Sequence, residues 1–248
     1  MNYNVYFSPT GSTQRVTTFI SEQFEQHKDI DISVLQSDYH LEFKTNDLCV
    51  IGVPSFGGRV AKIARERLKM MKGHQTPAII VVTYGNRAYE DTLLELKNIV
   101  TDNGFICIGA MGIVCEHSII HEFGKGRPND KDLQEIVEYV KKLKERLTRP
   151  IENIQVSGNM PYREYSVAHV IPITTKKCTE CGICAKLCPI GAISMITPNQ
   201  TNRDICISCM RCVKVCPQHA RKCESSMIAV LTKKLKNVCE IAKKNDFF

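Results

Sequence analysis

The chain has 248 residues, 43% hydrophobic and 24% charged, with 33 Lys and Arg against 26 Asp and Glu for a formal net charge of +7, and it holds 13 Cys and no Trp. This balance suits one or two globular units with sizeable cores and excludes a disordered or collagenous chain. No run of about 20 apolar residues suggests a membrane span, and Met1-Asn2-Tyr3-Asn4 does not open a secretory signal, so a cytoplasmic location is expected, where abundant thiols point to metal or redox chemistry.

Val5 and Phe7 open a short strand, and Val16, Phe19, Ile20 and Phe24 then recur at helical spacing. Ile30 to Leu35 and Leu48 to Val53 read as strands, and Val60, Ile63, Ala64, Leu68 and Met71 mark a second helix. Pro77 to Thr83 is a further apolar run of strand length, Leu93, Leu96 and Val100 stripe another helix, and Phe105 to Val114 reads as the last strand. Asp130 is predicted to cap a helix striped by Leu133, Ile136, Val137, Val140 and Leu147, which ends before Pro150. Five strands alternating with helices imply an α/β fold with a doubly wound five-stranded parallel sheet, whose ligands bind at the carboxyl ends of the strands.

Pro150, Pro161 and Pro172, with the turn Ser157-Gly158-Asn159 between them, mark residues 150–172 as a linker. Residues 1–150 carry 19 basic and 19 acidic side chains and three cysteines, so the whole basic excess and the other ten cysteines lie beyond. There, Cys178, Cys181, Cys184 and Cys188 precede Pro189, and 28 residues later Cys206, Cys209, Cys212 and Cys216 precede Pro217. The motif C-x2-C-x2-C-x3-C-P thus occurs twice, as an internal duplication would leave it. Two-residue gaps aim three thiolates at three corners of one cube, and the fourth cysteine ligates the other cluster. One 4Fe-4S cluster is therefore assigned to Cys178, Cys181, Cys184 and Cys216, and the second to Cys206, Cys209, Cys212 and Cys188. Zinc ribbons, by contrast, pair two C-x2-C units across a longer gap. Cys223 and Cys239 fall outside the motif and read as packing residues, as do Cys49, Cys107 and Cys115 in apolar strands.

After the first strand, Ser8-Pro9-Thr10-Gly11-Ser12-Thr13 stands where a helix begins, and hydroxyls with free amides at that place make a phosphate cradle. The lysine of a Walker A loop is missing, and so is G-x-G-x-x-G. Val53 to Arg59 and Thr83 to Tyr89 form two more loops at carboxyl ends of strands, each with an aromatic residue and glycine, between which a flat ring can be sandwiched. Glu116-His117-Ser118 and His121 read as a polar loop. Met227, Leu231, Leu235, Val238 and Ala242 stripe a C-terminal amphipathic helix expected to dock on the protein itself.

The cysteine block, over about residues 173–222, resembles bacterial two-cluster ferredoxins, which implies one-electron transfer at low potential. The three loops together resemble the FMN site of flavodoxins, over about residues 2–148. By that resemblance Ser8, Thr10, Gly11, Ser12 and Thr13 bind the FMN phosphate, and Pro54, Ser55, Thr83 and Gly85 belong to the loops around the ring. Phe56 and either Tyr84 or Tyr89 flank the isoalloxazine, Gly57 or Gly58 turns a carbonyl toward flavin N5, and Asn86 and Arg87 meet the pyrimidine end. Almost the whole chain resembles the flavodoxin-ferredoxin fusion proteins of anaerobic bacteria and archaea. The implied organisation is an FMN domain at 1–149, a linker at 150–172, a small α+β ferredoxin domain at 173–224 and the C-terminal helix at 225–248.

The expected function is electron transfer among two 4Fe-4S clusters, FMN and external redox proteins such as ferredoxin- or flavin-dependent oxidoreductases, because clusters pass single electrons and FMN holds one or two. Two alternatives stay open: an FMN-dependent reductase of a quinone or nitro compound fed by the clusters, and a redox sensor. Nucleic acid is not an expected partner. Eight thiolates with two oxidised cubes contribute roughly −4 and an FMN phosphate up to about −2, so the loaded protein stands near about +1.

Overall fold

A computed structural model describes residues 1–36, 38–167 and 169–248. The N-terminal part runs β1 (Asn2–Tyr6), α1 (Ser12–Ser21), β2 (His27–Asp31), β3 (Glu42–Phe43), β4 (Leu48–Phe56), β5 (Arg59–Val60), α2 (Lys62–Leu68), β6 (Lys72–Gly73), β7 (Thr76–Tyr84), α3 (Thr92–Asp102), β8 (Phe105–Val114) and α4 (Asp130–Arg146). It is followed by β9 (Ile173–Thr174), α5 (Ile183–Lys186), α6 (Arg211–Lys214), β10 (Arg221–Lys222), α7 (Ser225–Cys239) and β11 (Asp246–Phe247).

Five strands pair in parallel in the order β2-β1-β4-β7-β8. Counting only these five, the order is 2-1-3-4-5, that of flavodoxin-like doubly wound sheets, whose switch point lies between the first and third strands. Successive side chains of a strand point to opposite faces. On β4, Cys49, Ile51 and Val53 join the layer of α2 and α3, whereas Leu48 and Val50 join Val16 and Ile20 of α1 and Ile136 and Val140 of α4. Burial on both faces is why these strands read as unbroken apolar runs. The helix α1 lies so close to the sheet that a Cβ on Gly52 would stand 2.2 Å from the Thr17 methyl.

Four local features differ from the sequence-based expectation. The edge strand β2 spans His27–Asp31 and not Ile30 to Leu35, because an edge accepts charged residues that hide the apolar signal. Val60 pairs with Ser55 in the β4–β5 hairpin, so α2 begins only at Lys62 and ends before Met71. The cap of α4 is Asn129, whose side chain accepts from the amides of Lys131 and Asp132 in a capping box, with Asp130 the first helical residue. Finally, Asp246–Phe247 adds an antiparallel strand to the free edge of β8, so the tail of the chain closes the sheet there.

The cysteine-rich part is a small α+β unit in which β9 and β10 pair antiparallel around two short helices. Its duplication survives in the backbone: the left-handed residues Glu180, Gly182 and Gly191 have counterparts 28 positions on in Ser208, Met210 and His219. This unit sits on the carboxyl ends of β1 and β2. The buried Arg67 donates to the Ile32 carbonyl at 2.7 Å and to the Pro189 carbonyl at 2.6 Å, and Arg211 reaches Asp31 at 3.6 Å. Residues 159–163 lie along α3, where the Asp91 carboxylate accepts from the amides of Asn159 and Arg163, and Asn98 donates to the Tyr162 hydroxyl.

Candidate functional site

Two small cavities lie side by side in the cysteine-rich unit. One is lined by Cys178, Cys181, Cys184 and Cys216, and the other by Cys188, Cys206, Cys209 and Cys212. These are the two quartets that the motif pairs crosswise. Backbone amides already point at the sulfurs: Ala192 N–H donates to Cys188 Sγ at 3.2 Å and Ala220 N–H to Cys216 Sγ at 3.3 Å, again 28 residues apart. Burial would raise the Cys216 thiol, yet the amides of Ala220, Arg221 and Gln218 bring it below its ordinary range. Burial instead pushes Cys209 and Cys212 up to about 12, so a cation is needed to draw their protons off. Among the described residues, no three Cys, His, Asp or Glu side chains gather as they do around a single metal ion. Each quartet surrounds a void, and this donor set fits a cube better than a lone zinc.

A third cavity, of about 400 Å³, opens at the carboxyl ends of β1, β4 and β7 and has the size of a cofactor site. Thr10, Ser12 and Thr13 line one end. The amides of Gly11, Ser12 and Thr13 meet no protein acceptor among the described residues and stand at the N-terminus of α1, where the helix dipole favours an anion. Gly11 has φ +93°, and a Cβ there would meet nothing within 4 Å, so this loop is open to a ligand. Ser8 is turned inward, its hydroxyl accepting from the Gln14 amide, and Thr13 shares a 2.8 Å hydrogen bond with Thr83. Residues fit for a phosphate are thus present without a lysine.

Pro54, Ser55, Phe56, Gly57, Tyr84, Gly85 and Arg87 line the middle of the same cavity. Segment 163–167 covers it from one side, because the Ser166 carbonyl approaches Gly57 so closely that a Cβ there would lie 2.0 Å from it. Gly58 lies under the Arg163 side chain, where Glu90 pairs with both Arg87 and Arg163. Tyr89 and Asn86 do not reach the cavity. The Tyr89 hydroxyl donates to Asp246 at 2.7 Å, and the Asn86 amide donates to the Cys239 carbonyl at 2.6 Å, so both hold the C-terminal segment.

Three contributors were invisible in the sequence. The helix α7 rests through Leu231, Leu235 and Cys239 on Ile120 and Phe123, and it lays Leu231, Lys234 and Leu235 across the cavity. From the iron-sulfur side, Ser208 and Cys209 form part of the wall. His121 is exposed as a polar loop would have it, but His117 turns inward and lines the cavity. The His117 Nδ1 accepts from the amides of Ile119 and Ile120, which leaves its proton on Nε2. Burial, followed by the nearby charges of His121 and Arg87, holds its pKa down to about 4.

His117 therefore makes the fold acid-sensitive. The unfolded chain takes up a proton on His117 near pH ~6.5 and the folded chain only near 4, so stability is full above that window and falls as the pH drops through it. Replacing His117 with Gln is expected to remove about 3 kcal/mol of the stability loss between pH ~7 and ~4, measured by urea denaturation at both ends. Equal losses in the two proteins would mean that the fold does not hold the His117 pKa below that of the unfolded chain.

Residues 177–221 match the family model described as a 4Fe-4S dicluster domain. No curated protein matches the chain. Among solved structures, a flavodoxin of Streptococcus pneumonia TIGR4 is 11% identical, with a TM-score of 0.41, and the match covers 58% of this chain and 97% of that one. Oxidised Flavodoxin 1 from Bacillus cereus is 12% identical, with a TM-score of 0.40 and the same coverage. No helix among the described residues is long and apolar enough to cross a membrane.

Proposed function

We propose that the chain is an electron-transfer iron-sulfur flavoprotein that holds two 4Fe-4S clusters and FMN in a fixed relay. The observation that carries this reading is the position of Cys209, which lines both the inner cysteine cavity and the large cavity of the α/β part. When bound, the clusters supply single electrons and FMN supplies both one- and two-electron chemistry. Thr10, Ser12 and the free amides of residues 11–13 hold the phosphate, and Phe56 and Tyr84 hold the ring. Segment 163–167 and α7 exclude water from it. Arg67 and Arg211 keep the two parts docked, which replaces a chance encounter with a constant separation.

The outer quartet includes the exposed Cys181, whereas Cys209 of the inner quartet is half-buried and lies against the large cavity. External redox proteins therefore meet the outer cluster, across a surface that includes Lys176, Lys177 and Lys186 and suits an acidic partner. Anaerobic isolation with iron and flavin analysis, followed by a redox titration read by visible and EPR spectroscopy, tests the reading. It is expected to give about eight irons and one FMN per chain. Absence of flavin together with fewer than about eight irons overturns it.

A further inference from the structure

Among the described residues only four buried side-chain nitrogen or oxygen atoms lack a hydrogen-bond partner, and two of them are the Nε atoms of Arg211 and Arg221. A buried donor without an acceptor is costly, and the guanidinium makes it more so. Both arginines border the cysteine cavities: Arg211 lines the inner one and Arg221 the outer one. Their other nitrogens are in use. Arg221 donates to the Thr201 hydroxyl and to the Pro198 carbonyl, which fixes it between the two cavities, and Arg211 reaches the Ser8 carbonyl at 3.5 Å and Asp31 at 3.6 Å. On each, the Nε–H is left without an acceptor on a side chain that lines a space surrounded by four thiols.

Resting on the iron-sulfur reading above, we propose that Arg211 and Arg221 each donate their Nε–H to a sulfur of the cluster whose cavity they line, and so raise that cluster's reduction potential. A reduced cube gains one electron and no proton, so it carries one more negative charge. A fixed cation with a hydrogen bond to sulfur stabilises that state over the oxidised one. Arg221 has no carboxylate within 4.0 Å among the described residues, whereas Asp31 offsets part of the Arg211 charge. Arg221 is accordingly the stronger of the two.

The test is an EPR-monitored potentiometric titration of the full, cluster-loaded chain with Arg211→Met and Arg221→Met, alongside Arg221→Lys. Each Met variant is expected to make its own cluster at least tenfold harder to reduce, or about 59 mV for one electron. The Lys variant keeps the charge without the fork and is expected to fall between. A second measurement needs no substitution: the reduced wild-type protein labelled with 15N-arginine is expected to show a weak 15N hyperfine coupling at both clusters. Variants that keep their full iron but titrate as the wild type does overturn the proposal, as does the absence of that coupling. Should a variant lose its cluster, the coupling decides the question. A wild-type protein with fewer than about eight irons removes the two-cluster premise on which this proposal rests, and that outcome is read from iron content alone.

Discussion

Replacing Cys209 with alanine is expected to halve the iron content, from about eight to about four per chain, and to slow flavin reduction by an external one-electron donor roughly a hundredfold or more, while FMN stays bound. Cys209 is half-buried and lines the inner cavity with Cys188, Cys206 and Cys212, so its loss leaves a cube three of its four ligands. It lines the large cavity at the wall and belongs to none of the loops after β1, β4 and β7, which is why flavin content is expected to be spared. Electron tunnelling falls off exponentially with separation, and among the eight motif cysteines Cys209 alone lines the large cavity, so removing the inner cube takes away the proposed donor nearest that cavity. Cys181→Ala is the informative contrast. It empties the exposed outer site, and dithionite reacting at the inner cube is still expected to reduce the flavin. Iron analysis with anaerobic stopped-flow spectroscopy measures both variants. A Cys209 variant that has lost its inner cube but passes electrons at the wild-type rate would remove the relay order.

What the sequence discloses and what it hides follow from how each feature is encoded. The eight motif cysteines are legible because they recur at the fixed spacing a cube would demand, so the pattern stands in the string directly. The parallel sheet is legible because burial on both faces forces long apolar runs. The loop after β1 is legible because a helix must begin within it. By contrast, β11 is two residues long and owes its existence to the unpaired edge of β8, which no local pattern announces. The stripe on α7 shows that one face is covered but not by what, and only the fold brings Leu231 and Leu235 over the cavity. His117 reads as loop polarity until Ile119 and Ile120 turn their amides onto its ring. Asn86 and Tyr89 lie in the right loop with the right chemistry, yet the tail captures both, and a sequence cannot rank two partners competing for one side chain.

Removal of residues 225–248 is expected to weaken FMN binding by roughly a hundredfold, which is about 2.7 kcal/mol, and to make the bound flavin open to small acceptors. The first effect has two sources. Leu231, Lys234 and Leu235 no longer cover the cavity, so water reaches the ring. In addition, the loop after β7 loses its anchors: Asn86 loses the Cys239 carbonyl and the Lys243 amide, Tyr84 loses the Lys244 carbonyl at 2.8 Å, and Tyr89 loses Asp246. Each buried polar group left without its partner costs about 1–3 kcal/mol unless the loop rearranges to find water, and rearrangement displaces Tyr84 from the cavity. The second effect separates a closed relay from a reductase. While α7 lies across the site, quinones and nitro compounds are expected to gain electrons slowly. In the truncated chain saturated with FMN, turnover with them is expected to rise at least tenfold. Leu231→Ser combined with Leu235→Ser opens the same face but keeps β11 paired, and it is expected to raise acceptor turnover with a smaller loss of affinity. Fluorescence titration of FMN and anaerobic acceptor assays measure the two quantities. Rapid acceptor turnover by the intact chain, unchanged on truncation, would mean that the flavin is already open and would favour the reductase.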